Sequence, residues 1–111
     1  MSIAVREYTD ASQMLGRAKR RPIIYADHAV VPLTRGCEAI IDLADIPLIT
    51  GWNWTAHPSR WTFYAFRRET VIGGEHRQKL VLMHRLIVGA PDGMKVDHIN
   101  GNGLDNRRIN L

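Results

Sequence analysis

Between residues 23 and 83 the apolar residues fall into short, β-branched runs, each stopped by a turn signal before it could grow into a long helix. Residues 23–26 and 29–33 are two such runs, split by Asp27-His28. Thr34-Arg35-Gly36 reads as a turn, after which residues 38–42 resume an extended stretch. Asp45 stands where it can cap a short helical turn, with Pro47 tolerated in its first turn and Gly51 able to end it. Extended runs follow at 52–57 and 61–68, with a turn at Pro58-Ser59 between them, and Gly73-Gly74 suits a tight hairpin into the run 77–83. A chain punctuated this often predicts a small α+β fold of mostly antiparallel strands with short helices.

The same stretch holds Trp52, Trp54, Trp61, Phe63, Tyr64 and Phe66. Their expected place is the core of a small twisted sheet, with base stacking by one of them as the alternative. Hydrophobic residues make up 45% and charged residues 23% of the 111, a balance that suits a folded domain and is too apolar for disorder. Lys and Arg number 15 against 11 Asp and Glu, a net charge of +4, which favours polyanionic partners, nucleic acid first among them. Residues 1–22 read as a weakly structured basic lead-in, with a short helix from Ser12 and a cluster of Arg17, Lys19, Arg20 and Arg21 ending at Pro22. That cluster is either a solvated face or an arm that touches phosphates. Cys37 is the only cysteine, which excludes an internal disulfide or a paired-cysteine zinc site. The N-terminus lacks the apolar core of a signal peptide, and no apolar run approaches the length of about 18 residues that a membrane span needs. A soluble, cytoplasmic protein is the expectation.

Residues 84–111 change character. A short helix or strand end at 84–88 leads through a loop at 89–93 to a brief strand at 95–99, then to the loop Asn100-Gly101-Asn102-Gly103. Asp105 as an N-cap would leave Leu104 and Ile109 to form a hydrophobic staple, so a helical turn is expected to begin there. Asp97-His98 is the pair best suited to chemistry. A carboxylate is the oxygen ligand that a hard divalent cation prefers, and an imidazole titrating near neutrality can remove a proton from water. Neighbours on a regular strand point to opposite faces, so the two converge only if the strand breaks where Asn100-Gly101 begins. A calcium loop would need an oxygen ligand at position 99, which is Ile99, and a dinucleotide fingerprint would need glycine at 106, which is Asn106.

The run VDHINGNGLDNRRINL resembles the signature of phage and intron-encoded HNH endonucleases, and MHRLIVGAP resembles the segment that precedes it. Upstream, VPLTRGCEAIIDLADIPLITGWNW and FYAFR are similar to the region ahead of the motif in the phage branch, so the resemblance covers roughly residues 31–111. It implies a metal-dependent endonuclease that hydrolyses phosphodiester bonds in double-stranded DNA with one divalent metal, Mg²⁺ before Mn²⁺. In that reading Asp97 is the metal ligand, His98 the general base, and Asn110 the residue that hydrogen-bonds across the loop to hold the catalytic His. The plain alternatives are a loop-capping Asp97, a surface His98 and a helix-end Asn110. Arg85, Arg107 and Arg108 are candidate contacts to the DNA backbone, and Arg67 and Arg68 near the sheet are further ones, beside Arg60. His84 would either orient a phosphate or pack.

The chain also departs from the family. The HNH site is a ββα unit whose second metal ligand sits on the final helix, and the text stops at Leu111 after the first strand and loop. An incomplete ββα-metal element is therefore expected in 84–111, beyond the lead-in 1–22 and the strand-rich region 23–83. Poor activity is the consequence expected of such a truncated chain. The competing readings are a non-catalytic DNA-binding remnant and a subunit completed by another chain.

Overall fold

The computed structural model describes residues 5–6, 20–70 and 78–111, and these form an α+β fold of short strands and short helices. In the first sheet β1 (Val5–Arg6), β2 (Ile23–Ile24), β3 (Ala29–Pro32) and β4 (Glu38–Ile41) lie side by side in chain order, all antiparallel. In the second, β5 (Thr55–Pro58), β6 (Phe63–Thr70) and β7 (Gln78–Leu82) do the same. Between the sheets the chain makes a 3-10 turn at Leu43–Asp45 and one turn of helix, α1 (Ile46–Ile49). Beyond β7 it enters α2 (Met83–Val88) at once.

The strands alternate as a half-buried sheet should. Ala29 and Val31 of β3 are buried and face Ile41 and Ala39 of β4, so each larger side chain sits opposite a smaller one. These residues join Ile49, Trp54, Ala56, Ala65, Met83 and Ile87 in one core lying between the two sheets, α1 and α2. Trp54 is fully buried and its indole N–H donates to Ile49 O at 3.0 Å, so the largest core side chain leaves no polar atom unpaired. Burying a ring of this size contributes on the order of 3 kcal/mol. Phe66 is buried too, whereas Trp52 and Trp61 are exposed, so the aromatic cluster is only partly a core.

Arg20 ties the sheets together. Its guanidinium donates to Pro32 O and Trp54 O, and its own N–H donates to Asn53 Oδ1. It is thus a structural brace within the basic cluster read as either a solvated face or a phosphate-touching arm. Part of the lead-in is also ordered as a strand, since Val5 and Arg6 pair with Ile24 and Ile23. The helix expected from Ser12, with Arg17, Lys19 and the Gly73-Gly74 turn, lies outside the described residues. No helix among the described residues is long and apolar enough to cross a membrane.

Two expectations fail in the C-terminal third. Residues 95–99 have no ladder partner among the described residues and form no strand. No helical turn starts at Asp105 either: the only helical residues there are the 3-10 turn Arg108–Asn110, and Ile109, at 82% exposure, makes no staple with Leu104. The reason is tertiary. Ile40 N–H donates to Leu104 O and Asn106 N–H donates to Ile40 O, both at 2.7 Å, so residues 104–106 run parallel to the open edge of β4. Edge pairing satisfies backbone groups that a helix at this point would have satisfied within itself. At α1 the expectation is met in position but not in chemistry. Asp45 occupies the N-cap and Pro47 the first turn, yet the Asp45 carboxylate makes no cap hydrogen bond.

That carboxylate is 2% exposed and instead takes the guanidinium of Arg108, whose Nη2 lies 2.7 Å from Asp45 Oδ1 and whose Nε lies 3.0 Å from Oδ2. Arg108 N–H also donates to Asp42 Oδ2 at 2.9 Å. Arg108→Ala would leave a buried carboxylate with no cation, so a lower melting temperature is expected. Combining it with Asp45→Asn should recover part of the loss, because the uncompensated charge is gone. Equal melting of Arg108→Ala and wild type in differential scanning calorimetry would show that the pair contributes nothing.

Candidate active site

The loop from Lys95 to Leu111 is built from its own amides. Asn100 N–H donates to Asn110 Oδ1 at 3.0 Å, and Asn110 Nδ2 donates to Asn100 Oδ1 and to Asp105 O, both at 2.9 Å. Ile99 N–H donates to Asn110 O at 2.8 Å, which closes the loop at its base. Asn100 Nδ2 and the Arg107 guanidinium both donate to the Asp105 carboxylate, which is 2% exposed; these donors, Arg107 first, hold its pKa below the usual carboxylate range. Short side chains with both donors and acceptors suit such a knot, because each can satisfy a backbone group and another side chain together.

The knot is fastened to both sheets. Residues 104–106 pair with the edge of β4, and Gly103 N–H donates to Thr62 Oγ1 at 2.9 Å beside β6. Gly103 is buried, and a Cβ there would stand 2.2 Å from Phe63 O, so its close approach to the strand admits glycine alone.

His98 is the half-buried centre of the site. Its Nε2 lies 2.7 Å from Asn106 Oδ1; with that carbonyl oxygen as acceptor Nε2 carries the hydrogen, and in this tautomer the lone pair is on Nδ1. Nδ1 has no hydrogen-bond partner among the described residues. The residue against the ring is therefore Asn106, fully buried, and Asn110 acts at one remove by closing the loop. Nothing in the sequence singles out Asn106 for this place. Its spacing of eight residues from His98 across an irregular loop carries no periodic signal.

The other side of His98 meets aromatic rings. His84 of α2 packs edge-on at 4.7 Å between centroids, and Tyr64 of β6 lies 5.7 Å away, with Tyr64 and His84 themselves 5.5 Å apart. Asp97 is exposed and lines a groove of about 270 Å³ together with Tyr64, His84, Arg85 and Lys95. Because 95–99 is not a strand, Asp97 and His98 can both border Tyr64 and His84 despite being neighbours in sequence. Asp97 is the one carboxylate on this groove, and among the described residues no three His, Cys, Asp or Glu side chains group as metal ligands. Such a donor set fits a hydrated Mg²⁺ ion that keeps several waters, not a closed tetrahedral zinc site.

His84 is 5% exposed, with Nδ1 buried and unpaired. Burial, then the neighbouring His98 and Arg85, push its pKa down from 6.5 to about 4, while Tyr64, Lys95 and Asp97 border the same groove. A histidine held neutral by the fold lets the unfolded chain bind more protons below pH 6.5. Its contribution to stability is thus complete above that pH and lost as pH falls toward about 4. Urea titrations from pH 7 to pH 4 should show that loss, amounting to no more than about 3 kcal/mol, and His84→Phe should flatten the slope. An unchanged slope in the variant would assign the acid sensitivity to other groups.

Four of the arginines named as candidate DNA contacts make interactions within the fold. Arg85 donates to the carbonyls of Met94 and Pro91 and thereby shapes the approach to Asp97. Arg107 and Arg108 are ion-paired with Asp105 and Asp45. Arg67 is turned into the fold, 8% exposed, with its guanidinium 4.0 Å from the Trp52 ring and 5.6 Å from that of Trp54. Its Nε and Nη1 are buried with no acceptor, so the indole faces take the place of hydrogen bonds. Arg68 is exposed, 5.4 Å from the Phe66 ring. Arg60 also remains exposed, at the tip of the β5–β6 turn. No protein-family model matches the chain, and no curated protein or solved structure is significantly similar to it.

Proposed function

We propose that this chain is a phosphodiester hydrolase acting on DNA through an HNH-type site, with His98 as general base and Asp97 as metal ligand. The observation that carries this reading is the state of His98: Nε2 is tied to Asn106, Nδ1 has no hydrogen-bond partner among the described residues, and the preceding residue, Asp97, is an exposed carboxylate. A ring fixed through one nitrogen is aimed through the other. In the reaction Nδ1 takes a proton from water, the resulting oxygen nucleophile attacks phosphorus, and the departing sugar oxygen is protonated from solvent. A divalent cation, Mg²⁺ in the first instance, would be held by Asp97, water and substrate phosphate, and supplies stabilisation of negative charge on the phosphate. His84, neutral throughout the physiological range, walls the base from one side without adding charge. Asn110 and Asp105 keep the loop closed.

The test is nicking of supercoiled plasmid by the folded chain with Mg²⁺ or Mn²⁺, with and without chelator. Metal-dependent nicking supports the proposal. Binding to DNA that weakens steeply with salt, without any nicking, would support instead the reading of a DNA-binding module that does not hydrolyse.

A further inference from the structure

Trp61 is 84% exposed, the most exposed large hydrophobic side chain among the described residues. It sits with Arg60 at the tip of the β5–β6 hairpin, where Ser59 N–H donates to Thr62 O at 2.8 Å and closes the turn. The next residue, Thr62, is the one whose Oγ1 receives the Gly103 N–H of the catalytic loop. The indole is thus anchored one residue from the grip that holds the loop, on a turn whose backbone is fixed at both ends. The Arg60 guanidinium lies 5.0 Å from the indole centroid. Neither side chain takes part in the core, so the ring and the guanidinium are both presented to solvent together on the same turn.

We infer that Trp61 is a base-stacking side chain that engages an unstacked or single-stranded nucleobase next to the proposed cleavage site, with Arg60 on the adjoining phosphate. This rests on the nuclease reading of the same loop and adds the substrate contact that it lacks. The pairing of a cation with an aromatic face is what a nucleotide needs, because the ring offers a stacking platform to any base and the guanidinium meets the backbone charge. Of the arginines that a phosphate-gripping surface would use, Arg67 is buried, Arg85 is bound to backbone carbonyls, and Arg107 and Arg108 are ion-paired at the surface. Stacking at the hairpin tip therefore has more to contribute here than in a protein with a free basic face.

Fluorescence and anisotropy separate the possibilities. Trp54 is buried and Trp52 lies under Arg67, so quenching lost on Trp61→Ala reports the tip residue. With a fluorescein-labelled single-stranded oligonucleotide and a duplex carrying one unpaired base, wild type should bind and be quenched. Trp61→Ala should bind roughly tenfold more weakly and Trp61→Phe should recover part of the loss. Thermal melts unchanged in both variants would place the effect on the contact and not on folding. Wild-type affinity in Trp61→Ala would overturn this inference and leave the nuclease reading standing, whereas no DNA binding by wild type would sink both. Indole quenching by phosphatidylcholine vesicles in place of oligonucleotide would also overturn it, in favour of a membrane surface.

Discussion

The His98→Ala variant is expected to lose plasmid nicking by about 10²- to 10⁴-fold, the range that a positioned general base contributes. The variant should remain folded, because His98 is half-buried and its one hydrogen bond goes to an amide, not to the core. Removing the ring also takes the acceptor-facing N–H from Asn106, whose Nδ2 is already buried without a partner, so a small fall in melting temperature should accompany the loss. Asn106→Ala separates orientation from basicity. It keeps the imidazole but frees it to rotate, so nicking should fall by less than in His98→Ala while exogenous imidazole should not restore it. Addition of imidazole to His98→Ala should restore some activity, because a soluble base can occupy the space left by the ring. Nicking by His98→Ala at the wild-type rate, in protein free of contaminating nuclease, would sink the proposed mechanism.

Gly103→Ala is expected to be the most damaging glycine-to-alanine change among the described residues. Its Cβ would meet Phe63 O at 2.2 Å, and Tyr64 Cδ1 and Cε1 at 2.8 and 2.9 Å. The tyrosine can turn aside, but the carbonyl belongs to the backbone of a strand residue paired with Pro58 of β5 and cannot. The loop must lift instead, giving up the Gly103–Thr62 hydrogen bond and straining the pairing of 104–106 with β4. Overpacking of this kind costs about 1–3 kcal/mol, and in a domain of this size that lowers the melting temperature by roughly 5–15 °C. Gly101→Ala is the informative comparison. That glycine has φ of +77° and nothing within 4 Å of its Cβ, so its cost is conformational strain alone, about 1 kcal/mol. A Gly103→Ala protein melting within about 2 °C of wild type would mean that the loop does not press on β6.

Where structure followed local chemistry, the residues announced it. Thr34-Arg35-Gly36 is a turn in which Gly36 takes the φ of 69° that glycine accepts without cost, while Arg35 beside it, at φ of 62°, adopts a conformation its residue type does not announce. The helix at Ile46–Ile49 and the strands around it follow from proline placement and β-branched runs read over a few positions. Helix α2 ends at Gly89, in the left-handed region at φ of 66°, where its N–H reaches Leu86 O. The loop rich in Asn and Gly, with Asp97, His98 and Asn110 as its candidate residues, was equally visible, because those side chains lie within one short segment.

What the chain does with that segment was decided only in three dimensions. The apolar pattern cannot say that residues 104–106 prefer the free edge of β4 to a helix, since Ile40 is 65 positions away from Asp105 and edge hydrogen bonds have no sequence period. Nor can it say which asparagine meets His98, or that Arg108 answers Asp45 across 63 positions. Arg67 looks like a surface cation by type and turns inward because two indole faces await it. Sequence by itself determined most of the elements before the C-terminal loop, where backbone preferences act between neighbours. Tertiary structure decided the partners, because burial leaves each polar group the choice of whichever complementary group the packed core brings within 3 Å.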